Sequence, residues 1–356
     1  MIEFRPDIHF LMRLCFSLLL GVILTACGGG GGGSGGKSSS NNSDSSVSDN
    51  NSPGNNNSNS STGLSGRIIF THRERTEGYG DIKQYDFASD TATLLATNGF
   101  ASRGHSNGSV IFLEFCYREI LPYYRISMIQ NNGLIKPISE CSWDIPNPGS
   151  NDDPHDLNRT HLIEINLSKD GQLIAATIEY DDVFFEPGND YPTRQETYDV
   201  SIYSLDGTLI KTIENAYNPE WLPDGRLLYV WGSNFYVTDT NFENSEELPG
   251  SDQFSSPVYR PALHPSGNFF AFQHSGQIWQ MNLDGGELKQ LLTGNGILID
   301  PAWSPDGTKL VVWRQDDFEF IHIYDIESDQ AQSMDLDHAL DGEFTDEING
   351  PFTWLE

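Results

Sequence analysis

From residue 66 to the C-terminus the apolar residues fall into short runs such as RIIFTH, SVIFLEF, QLIAAT, RLLYVW, NFFAFQ and KLVVW, with Gly, Asp, Asn, Ser or Pro between them. Runs this short and this rich in Val, Ile, Phe and Tyr predict β-strands joined by tight turns. Spacing of apolar positions at 3.6 is almost absent, which excludes architectures built on long helices, among them Rossmann, TIM-barrel and hydrolase folds. The first 65 residues read differently. LCFSLLLGVIL (14–24) is a continuous apolar run, and 28–65 carries only Val47 and Leu64 as sizeable hydrophobes.

The strand pattern repeats. NPEWLPDGRLLYVWGSNFYVTD (218–239), RPALHPSGNFFAFQHSGQIWQMNLDGG (260–286) and DPAWSPDGTKLVVWRQDDFEFIHIYDIES (300–328) each read alike. A strand ends in Trp221, Leu263 or Trp303, a Pro-Asp/Ser-Gly turn follows, then an apolar strand, then a third strand closing in Asp or Asn. Pro at the second turn position and Gly at the fourth suit a type I turn. Weaker copies stand before QLIAAT (Leu167-Ser168-Lys169-Asp170-Gly171), before SVIFLEF (Gly104-His105-Ser106-Asn107-Gly108) and at Gly66. The anchoring glycines are 66, 108, 171, 225, 267 and 307. Six units of about four short strands predict an all-β, six-bladed β-propeller over residues 66–356.

The repeat resembles the TolB-type, WD-like propeller repeat with its W-S-P-D-G turn. The resemblance is specific for fold and says little about function. The first unit lacks a strand before its turn, whereas Pro351-Phe352-Thr353-Trp354 matches Pro301-Ala302-Trp303 and then stops. The C-terminus is therefore expected to supply the inner strand of the first blade and to close the ring. TolB itself carries an extra N-terminal domain and the prolyl-oligopeptidase-like enzymes a C-terminal hydrolase domain; neither has room here. The inner-strand tryptophans read as packing between blades.

The front end follows a different logic. The apolar run comes after Arg5 and Arg13 and is too short to span a bilayer. It ends in Leu24-Thr25-Ala26-Cys27, which resembles the bacterial lipobox. The resemblance implies a signal peptide over 1–26, acylation of Cys27, and a start at either Met1 or Met12. Gly28 after the cysteine is similar to the pattern of an outer-membrane destination. Residues 27–65 are then a Gly/Ser/Asn-rich tether, expected to be disordered because too little apolar surface is there to offset ordering entropy.

Charge removes whole classes of partner. With 51 Asp and Glu against 20 Lys and Arg the net charge is −31, which excludes nucleic-acid binding and disfavours anionic membrane surfaces. Candidate chemistry is sparse. Gly104-His105-Ser106-Asn107-Gly108 matches the nucleophile-elbow pattern, but a strand follows where the elbow needs a helix, so it reads as a blade turn. Asp152, Asp153, His155 and Asp156 in loop 144–161 are a candidate metal set, for Ca²⁺ above all, with the acidic segment 181–199 a second; no established ligand spacing is present and no cofactor is expected. Cys116 and Cys141 are the candidate disulfide in an oxidising compartment, closing a loop worth roughly 3 kcal/mol.

Connections between second and third strands are short in blades 4–6 and long in blades 1–3: 72–81, 116–124 and 181–197, with 141–159 between blades 2 and 3. All four emerge on one face and carry Tyr79, Tyr117, Tyr123, Tyr124, Trp143, Phe184, Phe185 and Tyr191, residue types that dominate binding hot spots. The sequence thus reads as a monomeric, lipid-anchored envelope protein, in the outer membrane facing the periplasm. Its propeller binds or scaffolds a protein, peptide or glycan without catalysis. The alternative is a propeller-face enzyme of lactonase-like or lyase-like type, possible with metal assistance; it would need His, Asp or Glu converging at matching repeat positions, and no such set is visible in the sequence.

Overall fold

The computed structural model describes residues 63–74, 80–118, 121–141, 159–184, 193–292, 296–315, 320–328, 330–336, 340 and 346–356. Blades 4, 5 and 6 are four-stranded antiparallel sheets in chain order. Blade 4 holds β11 (Tyr217–Trp221), β12 (Leu227–Trp231), β13 (Asn234–Thr238) and β14 (Ser245–Glu247). Blade 5 holds β15 (Val258–Leu263), β16 (Phe269–His274), β17 (Gln277–Asn282) and β18 (Lys289–Leu292). Blade 6 holds β19 (Leu298–Trp303), β20 (Lys309–Arg314), β21 (Phe320–Asp325) and β22 (Gln330–Asp335). Blade 3 is β7 (Arg159–Leu167), β8 (Leu173–Phe184), β9 (Thr193–Ser204) and β10 (Leu209–Glu214).

Blades 1 and 2 share one seven-stranded sheet. Its members are β1 (Arg67–Glu74), β2 (Gly80–Asp86), β3 (Thr91–Gly104), β4 (Val110–Arg118), β5 (Leu121–Ile129), β6 (Ile135–Pro137) and β23 (Asp346–Leu355). The merger was not expected from the repeat. β3 pairs with β2 over 91–99 and with β4 over 99–104, so one strand is the outer edge of blade 1 and the inner edge of blade 2. No turn interrupts it; the chain instead bends at Asn98 and Ala101, whose φ values are 58° and 49°. Gly99 stands at the crossing, where a Cβ would press on Phe112 and Ile82.

The Pro-Asp-Gly turn builds itself from its own polar atoms. In blade 6, Ser304 Oγ donates to Asp306 Oδ1 (2.6 Å), Thr308 N donates to the same oxygen (3.0 Å) and Gly307 N to Ser304 O (2.9 Å). Gly307 has φ 73°, and a Cβ there would collide with the His264 ring of the preceding blade. That ring donates from Nε2 to the Gly307 carbonyl (3.1 Å) and meets Trp303 edge-on at 4.7 Å. The turn at 104–108 is of the same kind, with Gly108 at φ 86° and Ser106 in no special geometry.

Apolar residues fill the spaces between consecutive blades. Ile111, Leu113 and Ile126 of blade 2 pack on Leu162, Ile174 and Ile178 of blade 3, and Val230 and Phe235 of blade 4 pack on Phe270 and Phe272 of blade 5. The inner-strand tryptophans add a polar stitch to this packing. Trp221 Nε1 donates to Asn166 O (3.2 Å) in blade 3, and Trp303 Nε1 to Ala262 O (3.0 Å) in blade 5. Each indole is thus buried with its only donor satisfied.

The ring closes where the repeat implied. Ser65–Glu356 is one compact unit, and β23 pairs antiparallel with β1 from Arg67↔Leu355 to Glu74↔Asp346. Trp354 Nε1 donates to Ser65 O (2.9 Å), its ring packs on Phe87 at 5.3 Å, and Arg67 Nη2 donates to Glu356 O (3.0 Å). Deleting residues 350–356 removes Phe352 and Trp354 from the core and strips the partner from β1. Several kcal/mol of stability should be lost, on the order of the whole stability of a domain. A melting temperature unchanged by that deletion would contradict closure.

Candidate functional site

The six inner strands, β23, β3, β7, β11, β15 and β19, contact one another in order round the ring. Each pairs with its neighbour through a register break: Phe100/Arg103, Leu162/Glu164, Tyr217/Glu220, Tyr259/Ala262 and Ile299/Ala302, and for β23 opposite Ile69/Thr71 of β1. Ala101, Asn218, Arg260 and Asp300 take φ values of 49° to 54° there. Such bulges re-aim side chains, and here they aim them at the axis.

The result is a polar network that spans the ring. Glu164 of blade 3, 3% exposed, accepts Asn218 Nδ2 from blade 4 (2.6 Å) and pairs with Arg260 Nη1 from blade 5 (2.8 Å) and Arg103 Nη2 from blade 2 (3.5 Å). Arg260 Nε also meets Asp300 Oδ1 of blade 6 (3.1 Å), and Arg103 Nη1 donates to Phe352 O of blade 1 (3.1 Å). All six blades are joined. Within the network two guanidinium groups stand against two carboxylates, Glu164 and Asp300.

The sequence reading missed this set. The matching repeat position, three residues before Gly104, Leu167, Trp221, Leu263 and Trp303, holds Ala101, Glu164, Asn218, Arg260 and Asp300, a different residue each time, so no repeated acid or His signals it. The available signal was the residue before Pro219, Pro261 and Pro301.

A third carboxylate lies beside the network. Glu220 accepts Asn166 Nδ2 (2.5 Å) and Leu263 N (3.2 Å). Burial pushes its carboxyl up to about 7; Arg103, those hydrogen bonds and Glu164 act in addition, the first two lowering it and the last raising it. It therefore holds a proton near neutrality. On the face of the second-to-third-strand hairpins, Tyr198, Tyr217 and Tyr259 form a row with ring centroids 5.7 and 6.0 Å apart. Tyr217 donates its hydroxyl to Gly232 O (2.6 Å), within the hairpin of blade 4.

On that same face the structure corrects two expected loops. Segment 116–124 is not a loop but the paired ends of β4 and β5, in register to Arg118↔Leu121. Segment 181–197 is for the most part the extension of β8 and β9, paired to Phe184↔Thr193. Backbone groups pair rather than stay open to water, so the inserted length becomes two projecting ladders. Tyr124 is no surface residue: it is 4% exposed, packed on Phe100 and Phe115 at 4.6 and 5.9 Å. Burial pushes its hydroxyl up to about 12.

Cys116 is bonded to Cys141 with a Cα–Cα distance of 6.3 Å, tying the β4–β5 ladder to the start of the blade 2–3 connection. The backbones of Tyr117, Tyr123 and Phe184 lie in β4, β5 and β8. Their side chains, together with Tyr79, Trp143, Phe185, Tyr191, Cys27 and the set Asp152, Asp153, His155 and Asp156, lie outside the described residues. Among the described residues no three His, Cys, Asp or Glu side chains are placed to hold a metal ion.

Glu220 yields a pH signature. Its carboxyl releases a proton near 4.5 when unfolded and near 7 when folded. Its contribution is therefore complete below about pH 4.5 and lost as pH rises through 7. Glu220→Gln should stabilise the protein at pH 8 by about 2 kcal/mol relative to its effect at pH 5. Urea unfolding of both forms at the two pH values measures this, and parallel stability curves would refute it.

No family model matches the chain. Tricorn protease homolog 1 of Streptomyces coelicolor is 32% identical over 87 residues, which are 24% of this chain and 8% of that protein, so the match spans under a tenth of the relative's length. Among solved structures, TolB from Acinetobacter baumannii aligns over 82% of this chain and 67% of its own, with a TM-score of 0.55 and 14% identity. A chain of a nidogen/laminin complex aligns over 81% of this chain and 97% of its own, with a TM-score of 0.50 and 12% identity. At such identities the likeness is one of fold, and on that ground together with the ring described above, the chain has the β-propeller fold seen in TolB.

Proposed function

We propose that this chain is a lipid-anchored envelope protein whose propeller is a non-catalytic binding module, engaging a protein partner on the face of the second-to-third-strand hairpins. The observation that carries the reading is the pair of projecting ladders on that face. β8 and β9 have 12 residues each and β4 and β5 have 9, against 5 or 6 for the equivalent strands of blades 4 to 6. A blade closes its core with the shorter length, so the excess serves something outside it. The disulfide at Cys116 braces one ladder, and pre-ordering of this kind lowers the entropic cost of binding.

Two further observations support the reading. The pairing of Glu164 and Asp300 with Arg103 and Arg260 across the blades supports a scaffold role for that network. The solved nidogen/laminin complex contains a chain of this fold in a protein assembly. Ser65, whose carbonyl accepts Trp354 Nε1, lies on the side of the Pro-Asp-Gly turns.

Two measurements test this. Cys27→Ser should abolish fatty-acid labelling and release the protein from the membrane fraction; a substituted protein that stays acylated would sink the anchor. Alanine at Tyr123, Trp143 or Tyr191 should each weaken capture of an envelope partner by more than about 1 kcal/mol. Substitutions at Asp224, Ser266 and Asp306 on the opposite face should not, and the reverse outcome would place binding on the turn face.

A further inference from the structure

The aromatic row lies at the foot of the ladders and crosses three blades. Tyr198 comes from β9, Tyr217 opens β11 and Tyr259 is the second residue of β15. All three are half-buried. Trp231 stands next to Gly232 on the hairpin that anchors the Tyr217 hydroxyl and is 51% exposed, the one aromatic among the exposed large hydrophobics of the described residues. Packing between blades does not require this arrangement: Ile299 stands at the matching position of blade 6.

We propose that this row is the docking surface for a basic segment, bearing Lys or Arg, of the protein partner. The proposal rests on the reading of the propeller as a binding module and adds the chemistry of what it binds. Aromatic faces attract cations through the ring quadrupole, Arg and Lys most of all. The carboxylates nearby select the same sign of charge. Glu179 Oε1 and Glu196 Oε2 lie 3.2 and 3.1 Å from the Tyr198 hydroxyl. The strands that carry them, β8 and β9, hold five carboxylates (Glu179, Asp181, Asp182, Glu196 and Asp199) against the single Arg194. At a net charge of −31 the protein repels an acidic peptide or an anionic lipid surface and attracts a basic segment over a distance. The Tyr217 ring is held by its bond to Gly232, so it meets a ligand already oriented.

Titration calorimetry of the full chain with hexalysine at physiological salt tests the assignment, with hexaglutamate as the control peptide. Tyr217→Ala and Tyr259→Ala should each weaken hexalysine binding about tenfold, and Glu196→Gln, at an exposed position, about threefold. Tyr217→Phe keeps the ring and gives up only the bond to Gly232, so it should bind within about twofold of the parent and separates recognition from folding. Binding that ignores the tyrosines, or that falls equally with Asp306→Asn on the opposite face, would be diffuse attraction to an acidic protein and overturns the proposal. So does capture of an envelope partner that hexalysine does not compete with, an outcome that leaves the binding-module reading standing. Loss of partner capture on both faces with hexalysine binding intact would instead count against that reading alone.

Discussion

Every blade of this protein depends on the pairing of β23 with β1. A four-stranded sheet buried on both faces needs a neighbour on each side, and a row of such sheets is satisfied only when the last meets the first. Here the last strand in sequence becomes the first strand in space, and Trp354, Phe87, Arg67 and the terminal carbonyl of Glu356 lock the joint. Without that strand, β1 would present an unpaired ladder and the faces of blades 1 and 6 would meet water. The core clusters between blades are local, but their stability is collective because the ring has no end at which to fray.

Closure brings the inner strands close enough for long side chains to meet across the axis, and there the protein sets charge against charge. Glu164 lies at the centre, reached from blades 2, 4 and 5. A buried carboxylate in this position is tolerable only because Asn218, Arg260 and Arg103 converge on it. The same convergence ties Glu164 and Asp300 to Arg103 and Arg260. Convergent charged residues at the mouth of a ring often mark an active site. In this ring they are the joinery.

The proposed binding surface lies on the hairpin face. The blades that carry extra length spend it as paired strands rather than open loops, which makes the ladders β4–β5 and β8–β9 rigid projections of the ring. At their foot runs the tyrosine row, edged by carboxylates. The Pro-Asp-Gly turn face and the hairpin face are opposite ends of the same blades, because the first-to-second turn and the second-to-third hairpin of an antiparallel sheet must point in opposite directions.

Sequence alone determined the local structure: strand lengths from short apolar runs, turns from Pro-Asp-Gly, six units from their recurrence, and closure from the match of Trp354 to Trp303. These are legible because each depends on neighbours within a few residues or on a repeated pattern. It also indicated the face that carries the long connections. It did not show that β3 serves two blades, that Tyr124 is core, or that Glu164, Arg260 and Asp300 meet. Nor did it single out Tyr217 and Tyr259, which look like ordinary strand residues until three blades set them side by side. Those facts were decided by tertiary structure, because each is a relation between strands far apart in the chain, and because a bulge turns a side chain to the axis whatever its identity.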